Sequence, residues 1–338
     1  MKTIELLKEL TDSFGVSGHE EETFKVIEKI LRENYQNLTY ERKGTGSLLV
    51  KMGNGSKKVA FFAHTDEIGL VISKITDSNY ARVAGVGGVD PRTLLAKRVI
   101  FRTASGKKLG IIGMLAPHLQ APSTKDKSPS FDQIFVDFSV SGGTKDLQVG
   151  DMGTLEVFAA EMQGDKLTSK ALDNRAGVAA LMRSIDYLSD LKFDGQLVLC
   201  FNKGEEIGLI GAKGMSYEVN PDYAIVVDVT FASENNPNFE TYKLGDGPVV
   251  AVGAPITPSV FEQIRSLAQE NNIQYQIEAV PGSSGTEADV VQLARNGIKT
   301  GLISIPLLNM HSPVETVSIQ DIENTARLLA IFASKAGR

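Results

Sequence analysis

The sequence predicts an α/β fold: a mixed, mostly parallel sheet sandwiched by helices, with a small β-barrel domain inserted into it. Two patterns carry that expectation. After about residue 165, short unbroken apolar runs alternate with helical patterns, as strands buried on both faces do. Between residues 68 and 163 the pattern changes to short β-rich runs with many glycines and almost no helix periodicity. Length agrees, because 338 residues exceed a comfortable single core. The expected division is 1–67 plus 164–338 as one domain, with 68–163 as the insert.

The elements follow in order. MKTIELLKELTDSF reads as an amphipathic helix, with Ile4, Leu6, Leu7 and Leu10 apolar and charges between them. It lacks the uninterrupted apolar core of a signal peptide. A second helix is expected to begin at Ser17, because Ser17-Gly18-His19-Glu20 has the form of a capping box. VAFFAH (59–64) reads as a short buried strand. In the insert, LVISKI, RVIFRT, KLGIIGML, IFVDFSV and TLEVF are strand candidates. PHLQAPSTKDKSPSFDQ (117–133) has the polar, proline-bearing composition of a surface loop or a disordered segment. The alternation then resumes with a helix from Asn174 to about Leu188 and strands at 196–201 and 223–229. A helix near Ser259–Glu270, a strand at 275–280 and a helix near Glu287–Arg295 come next. A strand at 300–306 and a helix from about Ile319 close the chain.

Composition excludes several classes of function. Hydrophobic content of 42% and charged content of 22% fit an ordinary globular protein. A net charge of −6 gives no electrostatic reason to expect nucleic acid or an anionic membrane as partner. KRVIFRTASGKK is locally basic and reads as a solvated strand face. No apolar stretch approaches the roughly 18–20 residues that span a bilayer, and the expected location is the cytoplasm. The single cysteine, Cys200 in QLVLCFN, rules out an internal disulfide framework and reads as a small buried hydrophobe.

Five segments end in metal-type ligands: His64 in AHTDE, Asp173 in ALDNR, Glu205-Glu206 in NKGEEIG, Asp228 in VVDV and His311 in NMHSPVE. Two imidazoles and several carboxylates are what a pair of hydrolytic divalent ions needs. Open α/β sheets bind ligands beyond the carboxyl ends of their strands. His64, Asp228, the Glu205-Glu206 pair and His311 all fall at or just past such ends, and Asp173 falls at a helix start as its N-cap. The other histidines, His19 and His118, read as surface residues. Asp66, two residues after His64, can accept the second ring N–H of that imidazole and fix its tautomer. Glu67 either shapes the site or is a polar turn residue. Of the adjacent Glu205 and Glu206, one can bind a metal while the other faces a metal-activated water as general base.

AHTDEIG, LDNRAG, EEIGLIGAKG, VVDVT followed by KLGDGP, and HSPVE resemble the dinuclear aminopeptidases that form tetrahedral particles. That family includes bacterial glutamyl and archaeal deblocking aminopeptidases, and some members were formerly labelled endoglucanases. The resemblance runs from GVSGHEEE to HSPVETVSIQDIE, nearly the whole chain. It implies that Asp173 bridges two divalent ions, zinc or cobalt. His64 and Asp228 would complete one ion, and Glu206 and His311 the other. Glu205 would be the general base and Asp66 the partner of His64. The substrates would be peptides, shortened one N-terminal residue at a time. The insert would be a dimerisation domain, and dimers of such chains often assemble into hollow dodecamers; dimer and tetrahedral dodecamer both stay open for this chain.

Two departures bear on specificity. The family usually carries GTDA where this chain has Thr286-Glu287-Ala288 after Gly285, so Glu287 either reshapes the substrate pocket or is solvated at a helix start. LLNMH lacks the aromatic expected before the last histidine. Pocket walls are expected from the loops at 231–248, 253–258 and 281–288. The competing readings are a metal-dependent deacylase or amidohydrolase of a small molecule, and a non-catalytic peptide-binding assembly. A glycosidase needs two carboxyl groups flanking a sugar rather than a histidine–carboxylate cluster.

Overall fold

A computed structural model of the chain describes residues 1–120, 127–233 and 241–338. Part of the loop expected at 117–133 and part of the 231–248 loop therefore lie outside the described residues. Helices α1 (Thr3–Asp12) and α2 (Glu21–Asn34) open the chain. The apolar spacing of α1 buries Leu6, Leu7 and Leu10. Helix α2 starts after Glu20, and the capping box expected at Ser17 does not form. Ser17 Oγ donates instead to Asp66 Oδ2 at 2.6 Å. Glu20 Oε1 accepts from the N–H groups of Gly18 and Gly204, at 2.7 and 3.0 Å. Both capping side chains are taken by tertiary partners.

A hairpin of β1 (Thr39–Lys43) and β2 (Ser47–Met52) precedes β3 (Lys58–His64). The chain then enters the barrel: β4 (Gly69–Ile75), β5 (Tyr80–Val86), β6 (Arg98–Thr103), β7 (Gly106–Met114), β8 (Ile134–Asp137) and β9 (Met152–Leu155). These close in the order β4-β5-β8-β7-β6-β9, every ladder antiparallel. The barrel has its own core, built on Leu70, Ile72, Val99, Phe101, Val136 and Phe138.

Strands β10 (Ala160–Met162) and β11 (Lys166–Ser169) bring the chain back to the large sheet. Then come α3 (Leu172–Ser189), β12 (Gln196–Asn202), α4 (Ile210–Val219), β13 (Tyr223–Phe231) and β14 (Val249–Gly253). The chain ends with α5 (Pro258–Glu270), β15 (Gln276–Val280), α6 (Ala288–Val291), β16 (Lys299–Leu308), β17 (Glu315–Ser318) and α7 (Ile319–Ala336). The sheet has eleven strands among the described residues, in the order β1-β2-β12-β3-β13-β16-β17-β11-β10, with β14 beside β16 and β15 beside β14. Its centre, β12-β3-β13-β16, is parallel. Those four strands are the apolar runs of the sequence, and their side chains are almost wholly buried. Helices α3 and α7 pack on each other and on this centre, and α4 packs on β12 and β3.

Helix α6 is four residues long, against the nine-residue stretch 287–295 expected. Asp289 gathers four preceding donors from Ser283, Ser284 and Gly285, which pins the helix start. Arg295 adopts a left-handed conformation (φ 53°) that ends helical propagation before β16. Cys200 is fully buried on β12, as its neighbours require. Among the described residues, no helix is long and apolar enough to cross a membrane.

Candidate metal centre

The parallel strands carry their carboxyl ends to one rim. His64 is the last residue of β3 and lies beside Asn202, the last residue of β12. Asp228 lies near the end of β13, and His311 follows β16. Glu205 and Glu206 follow β12 within a few residues. Asp173 lies at the start of α3, but it is not the cap. Asp173 and Asn174 have non-helical dihedrals, and their peptide bond is cis. Asn174 performs the capping: its Oδ1 accepts from Gly177 N at 3.0 Å, and its Nδ2 donates to Val227 O at 2.8 Å. The carboxylate of Asp173 is left to face the rim.

There it meets both histidines. His64 Nε2 lies 3.1 Å from Asp173 Oδ1 and 3.7 Å from Asp228 Oδ1. His311 Nε2 lies 3.2 Å from Asp173 Oδ2 and 3.2 Å from Glu206 Oε1. Two triads result, His64–Asp173–Asp228 and Asp173–Glu206–His311, and Asp173 belongs to both. In each, the potential ligand atoms lie within 4.8 Å of one another. All five residues expected as ligands are thus brought together, one oxygen of Asp173 turned to each imidazole. Glu205 lines the same cleft. His19 and His118 are exposed.

Crowded carboxylates in a buried site resist ionisation. Burial pushes Glu205 up to about 9, helped by Asp228, Glu206 and Glu287 and opposed by His64. Burial also raises Glu206 and Asp228. Asp173 goes the other way: burial opposes ionisation, but contacts from His311 and His64 outweigh it and hold the carboxyl low. His311 is pushed up to about 11 by its contacts with Asp173 and Glu206. His64 is also raised: burial opposes its charge, and contacts with Asp173, Asp228 and Asp66 prevail. The rim therefore attracts positive charge, and the two imidazoles supply part of it in the protein alone.

Asp66 lies where the His-x-Asp spacing put it, with Oδ1 3.4 Å from His64 Nδ1. It also accepts from the N–H groups of Glu205 and Glu206, at 3.0 and 3.2 Å, and so fixes the turn that carries both glutamates. Glu67 is not a surface turn residue. It is 2% exposed and accepts from Lys170 Nζ at 2.7 Å, Thr154 Oγ1 at 2.8 Å and Gly15 N at 3.1 Å. In front of the triads a cleft opens, walled by Thr230, Phe231, Glu278, Ser284, Thr286 and Met310. Loop 281–288 thus reaches the cleft as expected, whereas no residue of 253–258 lines it.

Residues 46–328 match the M42 glutamyl aminopeptidase family. The chain belongs to that family. The lysyl aminopeptidase of Pyrococcus furiosus is 33% identical to it over 332 residues, 96% of this chain and 94% of that protein. The aminopeptidase APDkam598 of Desulfurococcus kamchatkensis has a TM-score of 0.87 at 33% identity, covering 98% of this chain and 94% of that one. The Pyrococcus horikoshii TET1 peptidase, described as assembling into a tetrahedron or a large octahedral shell, has a TM-score of 0.85 at 30% identity, with 98% and 99% covered. This M42 chain is a metal-dependent aminopeptidase, a hydrolase acting on peptides.

Three supporting residues of the M42 site escaped the sequence reading. Glu315, in the quoted HSPVE segment, accepts from Asp173 N at 3.1 Å and His311 N at 2.9 Å, and so ties two triad members together. Arg175, in LDNRAG, is wholly buried and donates to Leu10 O and Ser13 Oγ, both at 2.7 Å. It is a fixed cation interacting with Glu67, Asp66 and Glu20. Asn202 donates to Glu287 Oε2 at 2.9 Å. Glu287 is 1% exposed, which removes the reading of a solvated helix start. Burial pushes its carboxyl up to about 8. An arginine among the apolar residues of a helix was a usable signal for Arg175; nothing local marked the burial of Glu287.

Proposed function

We propose that this aminopeptidase releases N-terminal residues from peptides at a dinuclear metal centre. One ion would be held by His64, Asp173 and Asp228, the other by Asp173, Glu206 and His311. The observation that carries this reading is the pair of triads sharing Asp173. The donor set fits: imidazole nitrogen and carboxylate oxygens suit zinc or cobalt, and carboxylates that burial and the charge of Asp173 push up call for cations beside them. Bound there, the ions would supply Lewis-acid polarisation of the scissile carbonyl and a water acidified toward neutral pH.

The chain's own residues do the rest. Cations held beside Glu205 would offset the burial that raises it and leave it ionised, able to take a proton from the attacking water and hand it to the departing amine. Asp66 orients His64 and, through the N–H groups of Glu205 and Glu206, the turn that aims the base. We extend the proposal to assembly. The barrel region, 68–163, acts as a dimerisation domain, and the subunits form a homo-oligomer of the tetrahedral kind named for the Pyrococcus horikoshii peptidase. A reducing, cytoplasmic location suits the lone buried thiol.

The test is initial rates on aminoacyl-anilides after reconstitution with zinc or cobalt, beside N-acetylated controls. Glu205→Gln is expected to keep the fold and both ions while turnover falls by roughly 10²–10⁴-fold. Near-normal turnover in that variant would sink the assignment of the base. Equal cleavage of acetylated and free-amine substrates would favour a general amidohydrolase instead.

A further inference from the structure

One barrel loop brings its backbone against the metal rim. Between β5 and β6 the chain reads Gly87-Gly88-Val89-Asp90. A Cβ built on Gly88 would lie 2.5 Å from Nδ1 and 2.8 Å from Cε1 of His311. A Cβ on Gly87, whose φ is +75°, would lie 2.8 Å from Ile68 Cγ2, 3.1 Å from Glu206 Oε2 and 3.2 Å from Glu206 Cβ. Backbone therefore presses directly on the two residues that belong to only one of the triads. No such approach from this loop meets His64 or Asp228.

Both sides of the contact are held. On the barrel side, Val89 packs against the barrel core, and its N–H donates to Gly87 O at 3.0 Å. Asp90 then caps a short turn, accepting from Arg92 N at 2.9 Å. On the sheet side, the backbone of His311 is tied to Glu315. The His311 side chain is 32% exposed even with the barrel in place, so few side chains hold the ring and each contact on it counts. One of those contacts is the backbone of Gly88, on the Nδ1–Cε1 edge of the ring.

We infer that Gly88, with Gly87, is a positioning element of the active site: the barrel holds the ring of His311 and the stem of Glu206 in register with Asp173. One metal position is thereby coupled to the barrel and the other is not. The inference rests on the dinuclear reading above. It assigns the barrel a part in metal binding in addition to any part in assembly.

Metal-free protein titrated with Zn2+ by calorimetry tests it, with the visible spectrum of Co2+ as a second readout. The wild-type chain is expected to take up two ions. Gly88→Ala is expected to keep one near its original affinity and to weaken the other roughly ten-fold or more. Gly110→Ala is the control, because its Cβ would meet Val136 and Phe138 inside the barrel, at 2.3 and 3.0 Å, far from His311 in the sequence and in a different core. Should Gly88→Ala not fold, Gly87→Ala, which also strains the backbone and meets Ile68, is expected to weaken the same ion through the displaced loop and Glu206. Two ions bound as tightly by the folded variants as by wild type would overturn the inference. So would the same selective loss in Gly110→Ala, which would make it a general effect of barrel damage. Uptake of one ion by the wild type would remove the dinuclear reading itself, a distinct failure.

Discussion

Glu287 shows how much a single buried carboxyl can report. It accepts one hydrogen bond from Asn202, and both its second oxygen and Asn202 Oδ1 lack partners among the described residues. Burial, with Asp228 and Asp66 nearby, favours the neutral acid, against His64 and the Asn202 hydrogen bond. Its folded-state value of about 8 lies above the ordinary 4.5. A carboxyl raised in this way costs no stability at low pH, costs more as pH climbs through that interval, and reaches its full cost above about 8. Glu287→Gln is therefore expected to melt progressively higher than wild type as pH rises from 5 to 8, by several degrees at the upper end. Thermal melts of both proteins, metal-free, check this; parallel pH profiles would show that Glu287 is ionised throughout. The triad residues His64 and Asp228 stand out in the sequence because they interrupt otherwise apolar strands. Glu287 and Glu315 do not, because what buries them comes from segments 85 and 142 residues away.

The central strands and the long helices were legible for a common reason: each carries its own periodicity and is buried as a unit. The edge hairpin was less so, since Thr39–Lys43 is polar and half-exposed and is held by pairing with Ser47–Met52. Strand β14, Val249–Gly253, is as apolar as the centre of the sheet yet stands outside the expected alternation, because it lies antiparallel to β16 with β15 on its far side. That pair places Glu278 of β15 on the cleft wall, where it accepts from Thr230 of β13 at 3.1 Å. No lysine or arginine lines the cleft among the described residues. A basic N-terminal side chain should accordingly be preferred over an acidic one. Glu278→Lys is expected to shift the ratio of lysyl- to glutamyl-anilide kcat/KM toward glutamyl by roughly ten-fold or more. An unchanged ratio would show that Glu278 does not read the side chain.

At the scale of the whole molecule, two hydrophobic cores meet at a polar junction. Glu67 Oε2 receives both Lys170, from the return to the sheet domain, and Thr154, from the last barrel strand. All three are at least nine-tenths buried. Removing one member of such a pair leaves an uncompensated charge, so Lys170→Met is expected to destabilise by about 3–5 kcal/mol. Replacing Lys170 and Glu67 together by apolar residues should recover much of that loss, and urea melts of the single and double variants measure both; a near-silent single variant would show the junction to be solvated. The barrel was legible from the change in pattern near residue 68, but this junction was not, because its members are remote in sequence. Its geometry also bears on how such a protein can change over evolution. The outgoing and returning chain are fastened at one oxygen atom, so whatever is grafted beyond it hangs from a closed neck. The Thr103–Gly106 hairpin lies in the barrel beyond that neck, and a Cβ on Gly106 meets nothing. Extra sequence inserted there would lengthen the barrel's reach without loosening the rim, which makes that turn a natural place for lineages to diverge and for a laboratory to attach a reporter.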